Sequence, residues 1–393
     1  MLTIIDILIY VFFAFFSSSL ARKSENYIES NGMSPLKWDR YLVWFVVFFT
    51  VIGGIRWNVG VDSLSYAYIF THGYDDVNER EILWRRISNF IYNNGIHWTI
   101  GLAFCAFIQI YFIVKSIQPY RWLLVFIPFV MFGGRYWLDC MNAVRQMMVA
   151  CAFLWASRFI LEKKILPYAV FVAVASMIHG SAMMLLPFFL LPDKIKIYKR
   201  KWILLGILLA CVLIGQTPAY QQFAGYVQDA TASFNYDRYS NTITDRLMAG
   251  KSSEALNFGP MMLSYLLIPA FIIWFGEELH ERFGRIMPLF NLWFNLAYFY
   301  ACAYFLVCNI SHLFIRPLMY FSLFQMMMAA MLLYYLYEQK IRYGLRRTVF
   351  AAFCVIMLTN TTWDVIKSSG QPFDITTYKI FIFHISPQKP LGI

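Results

Sequence analysis

The chain has 393 residues, of which 60% are hydrophobic and 14% charged, and its formal net charge is +11. Soluble domains carry about 45–50% apolar and about 25% charged residues, so this composition excludes a disordered chain, a secreted disulfide scaffold and an ordinary soluble enzyme. What remains is a protein whose solvent is largely lipid, and an aromatic share of 19% agrees with that.

A helix crosses a bilayer with roughly 20 apolar residues. In chain order the apolar runs cover residues 2–20, 41–55, 97–115, 122–133, 142–160, 165–191, 202–215, 260–276, 287–308, 315–337 and 348–359. The first reads as a span rather than a removed signal peptide, because no basic region precedes it and Asp6 lies within it. The run 165–191 is long and is broken near its middle by Ile178-His179-Gly180-Ser181. The positive-inside rule places loops 21–40, 115–121, 158–164, 192–201, 277–286 and 338–347 on the inner face. That alternation requires 165–191 to cross twice, with His179 at the outer turn. Twenty of the 33 Lys and Arg residues then lie inside, at about three times the outer density, and both termini face out. The +11 therefore reflects membrane anchoring and gives no sign of a nucleic-acid partner.

The fold expected is all-α: one polytopic membrane domain over 1–393, with about 11–12 transmembrane or partly inserted helices and a broken helix pair near residue 179. Six of the seven Cys lie inside apolar runs and read as small buried hydrophobes, with neither a disulfide framework nor a metal site. Two outer segments are long. In 56–96 a polar stretch precedes an amphipathic run, with Ile82, Leu83, Ile87, Phe90 and Ile91 against Arg85, Arg86 and Asn89. In 216–259, Tyr220, Phe223, Tyr226 and Val227 repeat at helical spacing. Both read as helices lying in the interface. The aromatics Tyr220, Phe223, Tyr226, Phe234, Tyr236 and Tyr239 suit interfacial anchoring, and could also stack on sugar rings.

The outer face should be poor in Arg, so the Arg residues near its span ends need a reason. Asn142-Ala-Val-Arg145-Gln146 opens a span, with Asn142 as N-cap and Arg145 and Gln146 on one face. Arg316 precedes Pro317, which suits the first position of a helix. A cation at a helix N-terminus is unfavourable by about 0.3–1 kcal/mol, and such ends commonly hold an anion. Guanidinium groups grip phosphate oxygens bidentately. Each Arg could instead snorkel to lipid phosphates. His179 sits at the break, as a turn histidine or as a general base or acid. Asp62, after Gly60, would cap a helix over 63–71 or act as a carboxylate on a sugar hydroxyl or on Arg56. Asp139 could simply pair with Arg135. The near absence of intramembrane carboxylates argues against an ion-coupled transporter.

These residues resemble a known family, the EpsG-like polysaccharide polymerases related to the Wzy O-antigen polymerases. Gly54-Ile-Arg56-Trp-Asn-Val-Gly60-Val-Asp62-Ser-Leu-Ser-Tyr66 is similar to the family's G-x-R-Y-x-V-G-T-D-Y-x-x-Y, with Trp57, Val61 and Ser63 as departures. Asn142-Ala-Val-Arg145-Gln146 fits N-x-[IV]-R-Q, Ile178-His179-Gly180-Ser181-Ala182 resembles F-H-x-S-A, and Arg316-Pro-Leu-Met-Tyr320-Phe resembles R-x-x-x-Y-F. Pro372-Phe373 resembles a closing P-Y.

The resemblance implies a bacterial inner-membrane glycosyltransferase making capsule, exopolysaccharide or O-antigen. It would join undecaprenyl-pyrophosphate-linked oligosaccharides on the periplasmic side, with no metal or other cofactor. Its partners would be that lipid-linked donor and acceptor, the bilayer and a chain-length regulator. On this reading His179 or Asp62 takes the acceptor proton and Arg56, Arg145 and Arg316 hold the pyrophosphate. Asn142, Gln146, Tyr66, Ser181 and Tyr320 support them. The alternatives are a lipid-linked glycan flippase or exporter, an O-antigen ligase or other membrane enzyme, and a non-catalytic assembly subunit.

Overall fold

The structure, a computed structural model, describes residues 2–74, 81–191, 195–217, 220, 259–309, 312–339, 344–368 and 376–383. Every apolar run read from the sequence forms a helix or a helix pair. The first is α1 (Leu2–Ser30), whose 29 residues span about 43 Å at 1.5 Å per residue. That exceeds a hydrocarbon core of roughly 30 Å, so its polar end, from Arg22 on, emerges with the basic loops. It is followed by α2 (Arg40–Gly54), α3 (Ser63–His72), α4 (Ile82–Asn93) and α5 (Trp98–Ile117). Three short helices come next: α6 (Arg121–Leu124), α7 (Ile127–Gly133) and α8 (Tyr136–Asn142). Then come α9 (Val144–Leu161) and α10 (Ile165–Ser176), a 3-10 segment (Gly180–Leu190), and α11 (Lys201–Gly215). The second half holds α12 (Pro260–Trp274), α13 (Gly276–Phe283), α14 (Phe290–Val307), α15 (His312–Gln339) and α16 (Gly344–Ser368).

Among the described residues, six helices are long and apolar enough to cross a membrane, and up to eight spans result if each bent pair counts as one. The bent pairs break between Gly133 and Tyr136, by 68°, and between Trp274 and Gly276, by 56°. With the interruption after α10, the fold has more breaks than the single one near residue 179 that the sequence suggested. Membrane helices tolerate such breaks where neighbouring protein satisfies the freed backbone groups. The 3-10 segment is long for its kind, and Pro187 inside it removes a backbone donor that a regular α-helix would use.

α15 is the central post: 83% of its apolar window is buried, against 33% for α1 and 28% for α16, which lie at the periphery. It packs against α9, α14 and α16. α2 and α5 approach very closely. A Cβ on Gly53 would stand 2.3 Å from the Ala106 Cβ, so only glycine admits this crossing, the small-residue contact typical of membrane helices. All seven cysteines are free.

Arg145 and Arg158 lie near opposite ends of α9, about 20 Å apart along the axis. Arg158, Lys163 and Lys164 mark a basic end of the bundle, while Arg145, the break after α10 and the start of α15 mark the opposite end. Most of the expected segment 216–259 lies outside the described residues. So do Phe223, Tyr226, Phe234, Tyr236 and Tyr239, and the Pro372-Phe373 pair.

Candidate functional site

At the end away from the basic loops, one carboxylate gathers the two groups that the sequence singled out separately. Glu81 lies just before α4 and caps that helix with no side-chain hydrogen bond. Its carboxylate turns to the break after α10. Oε1 accepts from His179 Nδ1 at 3.1 Å and from the Gly180 backbone N–H at 3.1 Å. Oε2 takes a hydrogen bond from Arg145 Nη1. Burial alone would raise the Glu81 pKa, but the hydrogen bond from His179, the charge of Arg145 and the Gly180 N–H outweigh it and hold the carboxyl at about 2. The α4 start is pinned to the break by two further bonds, from Leu83 N–H (3.0 Å) and Trp84 N–H (3.2 Å) to the Met177 carbonyl.

Arg145, the second residue of α9, lies with its guanidinium 5.6 Å from the ring centre of Trp84. Tyr66 stands beside it and makes an edge contact with Trp84 at 5.8 Å. Arg145 Nε is buried with no hydrogen-bond partner. With Nδ1 of His179 fixed by Glu81, the other ring nitrogen has no hydrogen-bond partner among the described residues. The side chain is 18% exposed. This arrangement fixes ring orientation and leaves Nε2 as a proton acceptor, the same logic as a carboxylate-oriented catalytic histidine.

A second ion pair lies alongside. Arg316 Nη2 stands 3.5 Å from Asp62 Oδ2, with the Arg side chain 46% exposed. A pair this open is worth about 0–1 kcal/mol, so Arg316 can exchange its partner for another anion at little cost. Gln146, the neighbour of Arg145, donates from its side-chain amide to the Arg316 backbone carbonyl, which joins α9 to α15. Ser181 Oγ and Tyr320 Oη are 2.8 Å apart, tying the 3-10 segment to α15. The Tyr320 ring centre is 6.5 Å from that of His179. The Asn142 Oδ1 accepts from the Asp62 backbone N–H at 3.2 Å. Gly60 makes that contact feasible: its φ is +92°, and a Cβ there would lie 2.8 Å from Asn142 Cα.

Several local expectations change. Asn142 ends α8 rather than capping α9; Ala143 occupies the cap position without a side-chain bond. Asp62 precedes α3 but makes no capping bond, because its carboxylate faces Arg316. Pro317 is not a first-turn proline, since α15 begins at His312 and Pro317 lies within it. Arg56, expected among the pyrophosphate ligands, is 2% exposed. It donates to the Gly53 carbonyl and, at 3.1 Å, to the Met141 carbonyl. Its backbone pairs with Ile380, with Trp57 N–H on Lys379 O (2.8 Å) and Phe381 N–H on Ile55 O (3.0 Å). Burial lowers its pKa to about 10, so it stays cationic while clamping α2, α8 and the C-terminal segment. Arg135 pairs with Asp139 at 3.8 Å as the sequence suggested, and also with Asp364 at 2.8 Å.

Glu81 is the residue that sequence reasoning passed over. Its signal was an acidic side chain directly before an amphipathic run.

Long and broken apolar helices define a multi-pass membrane protein, and the candidate site lies toward one end of its bundle. The chain belongs to the EpsG family, which it matches over residues 39–375, and this is a family of Wzy-type polysaccharide polymerases. A general role in polysaccharide polymerisation follows. No curated protein and no solved structure matches the chain.

Proposed function

We propose that the protein polymerises undecaprenyl-pyrophosphate-linked oligosaccharide units at the periplasmic face of a bacterial inner membrane, by glycosyl transfer that calls for no metal. The observation that carries this reading is the Glu81–His179–Arg145 centre beside the half-exposed Arg316, at the end opposite the basic loops. The positive-inside rule puts that end outside.

Glu81 orients His179, whose Nε2 takes the proton from an acceptor sugar hydroxyl. The acceptor oxygen forms a bond to the donor's anomeric carbon, while the bond from that carbon to the pyrophosphate oxygen breaks. The leaving lipid pyrophosphate keeps the electron pair. Arg145, through Nε, and Arg316 stabilise the charge that develops on it. Asp62 serves as the resting partner of Arg316, and Arg56 is a framework cation. Positioning falls to Asn142, Gln146, Tyr66, Ser181 and Tyr320.

The test is a gene deletion complemented with Arg145→Ala or Arg316→Ala, followed by gel analysis of lipid-linked and surface glycan. Accumulation of single repeat units supports the reading. Units trapped on the inner face would indicate a flippase, long unattached polymer a ligase, and wild-type ladders from both variants would remove the proposed roles.

A further inference from the structure

A second polar cluster lies outside the centre described above. Arg135 joins α7 to α8 at φ +71°, a conformation that costs a non-glycine residue about 1–3 kcal/mol. It brings its guanidinium between Asp139 of α8 and Asp364 of α16. Its Nε, 3.8 Å from Asp139 Oδ1, makes no hydrogen bond. Three tyrosines from two further helices close around the group. Tyr265 of α12 and Tyr304 of α14 have ring centres 5.2 Å apart, and Tyr300 is 5.9 Å from Tyr304.

Asn360, one turn before Asp364 on α16 and so on the same face, is 1% exposed. Its Oδ1 is held by the Ser264 hydroxyl, while its Nδ2 has no partner. A buried amide donor left unpaired costs about 1–3 kcal/mol, and one a helical turn from Asp364 on α16 is free to donate to a ligand oxygen. The carboxylates accept hydroxyl protons, the Asn360 amide and Arg135 Nε donate, and the phenol rings offer flat apolar faces. Together they match the chemistry of a sugar. The formal charge of one cation and two anions disfavours a pyrophosphate.

The cluster also stands close to the first centre. Asp139 and Asn142 lie three residues apart on α8, about 4.5 Å along its axis, and Asn142 bonds the Asp62 backbone beside Arg316. A single sugar ring spans that distance.

We propose that Arg135, Asp139, Asp364, Asn360 and Tyr304 form a saccharide-binding subsite for the uncharged glycan of the acceptor, separate from the anion-holding centre at Arg145. The inference rests on the glycosyl-transfer reading for its assignment to the acceptor, but not for saccharide binding itself.

The probe is the free repeat-unit oligosaccharide, released by mild acid from the producing strain's lipid-linked intermediate. Its binding to the full-length protein in lipid nanodiscs is read by saturation-transfer NMR. Asn360→Asp keeps the Ser264 contact and removes the free donor, and Tyr304→Phe removes one hydroxyl. Each should weaken binding at least ten-fold and raise the acceptor KM in the same proportion, with donor KM unchanged. Arg145→Ala should leave oligosaccharide binding intact while extension is lost. Binding that survives both subsite variants, or that disappears with Arg145→Ala alone, would overturn the subsite. Binding that follows this pattern in a protein without extension activity would instead remove the polymerase reading and leave the subsite standing.

Discussion

Two of the arginine–carboxylate clusters lie at opposite ends of the bundle, and they differ in one respect. At the basic end, every guanidinium nitrogen of Arg121 is engaged. Its Nε donates to the Pro35 carbonyl at 3.1 Å, Nη1 to Asp39 at 2.5 Å and to Ser24, and Nη2 to the Lys37 carbonyl. Asp39 in turn caps α2, accepting from Tyr41 N–H (2.9 Å) and Leu42 N–H (3.1 Å). Burial would raise its pKa, but Ser24, Arg121 and the Leu42 N–H hold it below its ordinary value. No guanidinium nitrogen is idle, and the cluster is a lock between α1, α2 and α6. At the other end, Arg145 keeps an unpartnered Nε, His179 keeps an unpartnered ring nitrogen, and Arg316 holds Asp62 loosely in the open. In these two clusters the same residue types divide, with every nitrogen engaged in the one and a nitrogen left free on both Arg145 and His179 in the other.

Substitutions can break this contrast. The largest effect should come from His179→Ala: removing a general base costs about 10²–10⁴-fold in rate, read as extension of lipid-linked units by membranes containing matched amounts of protein. Arg121→Ala should act on folding instead. Losing one partner of a buried pair costs about 3–5 kcal/mol, so the yield of monodisperse protein on detergent size exclusion should collapse. Glu81→Gln should lower extension about ten- to hundred-fold, since one hydrogen bond to a charged acceptor is worth roughly 1.5–3 kcal/mol.

Glu81→Gln also carries a pH signature. The folded Glu81 pKa of about 2 lies below its unfolded value of about 4.3. The stability it contributes is therefore present above about pH 4.3 and is lost as pH falls toward 2. The gap in Tm between wild type and Glu81→Gln should be full at pH 6, fall to about half near pH 3 and close below about pH 2. A gap that stayed at its full pH 6 size at pH 2 would contradict the ion-pair geometry. The smallest effect belongs to Ser181→Ala, where one neutral hydrogen bond to Tyr320 is worth about 0.5–1.5 kcal/mol, or roughly a two- to ten-fold loss.

Much of the fold was legible because lipid imposes a simple rule: apolar length makes a helix. The break at His179 was visible for the same reason, as a polar interruption in an overlong run. The cap assignments at Asn142, Asp62 and Pro317 failed because each rested on local propensity, which tertiary partners overrode. Asn142 found the Asp62 backbone, Asp62 found Arg316, and α15 began a turn earlier than its proline. The separation of Arg56 from Arg145 could not be read either, since both stand in matching polar motifs. What divides them is the C-terminal segment 376–383 folding back over Arg56, a contact of more than 300 residues in sequence separation. Glu81 was hidden in a polar stretch, and its role exists only once α4 meets the break after α10.

The central claim is that the unsaturated cluster is the reaction centre. The most direct measurement is the length distribution of lipid-linked glycan made by purified protein in nanodiscs, comparing wild type, His179→Ala and Arg145→Ala at equal folded amounts. The account predicts polymer ladders from wild type and single units alone from both variants. Wild-type ladders from either variant, with its fold intact, would contradict it.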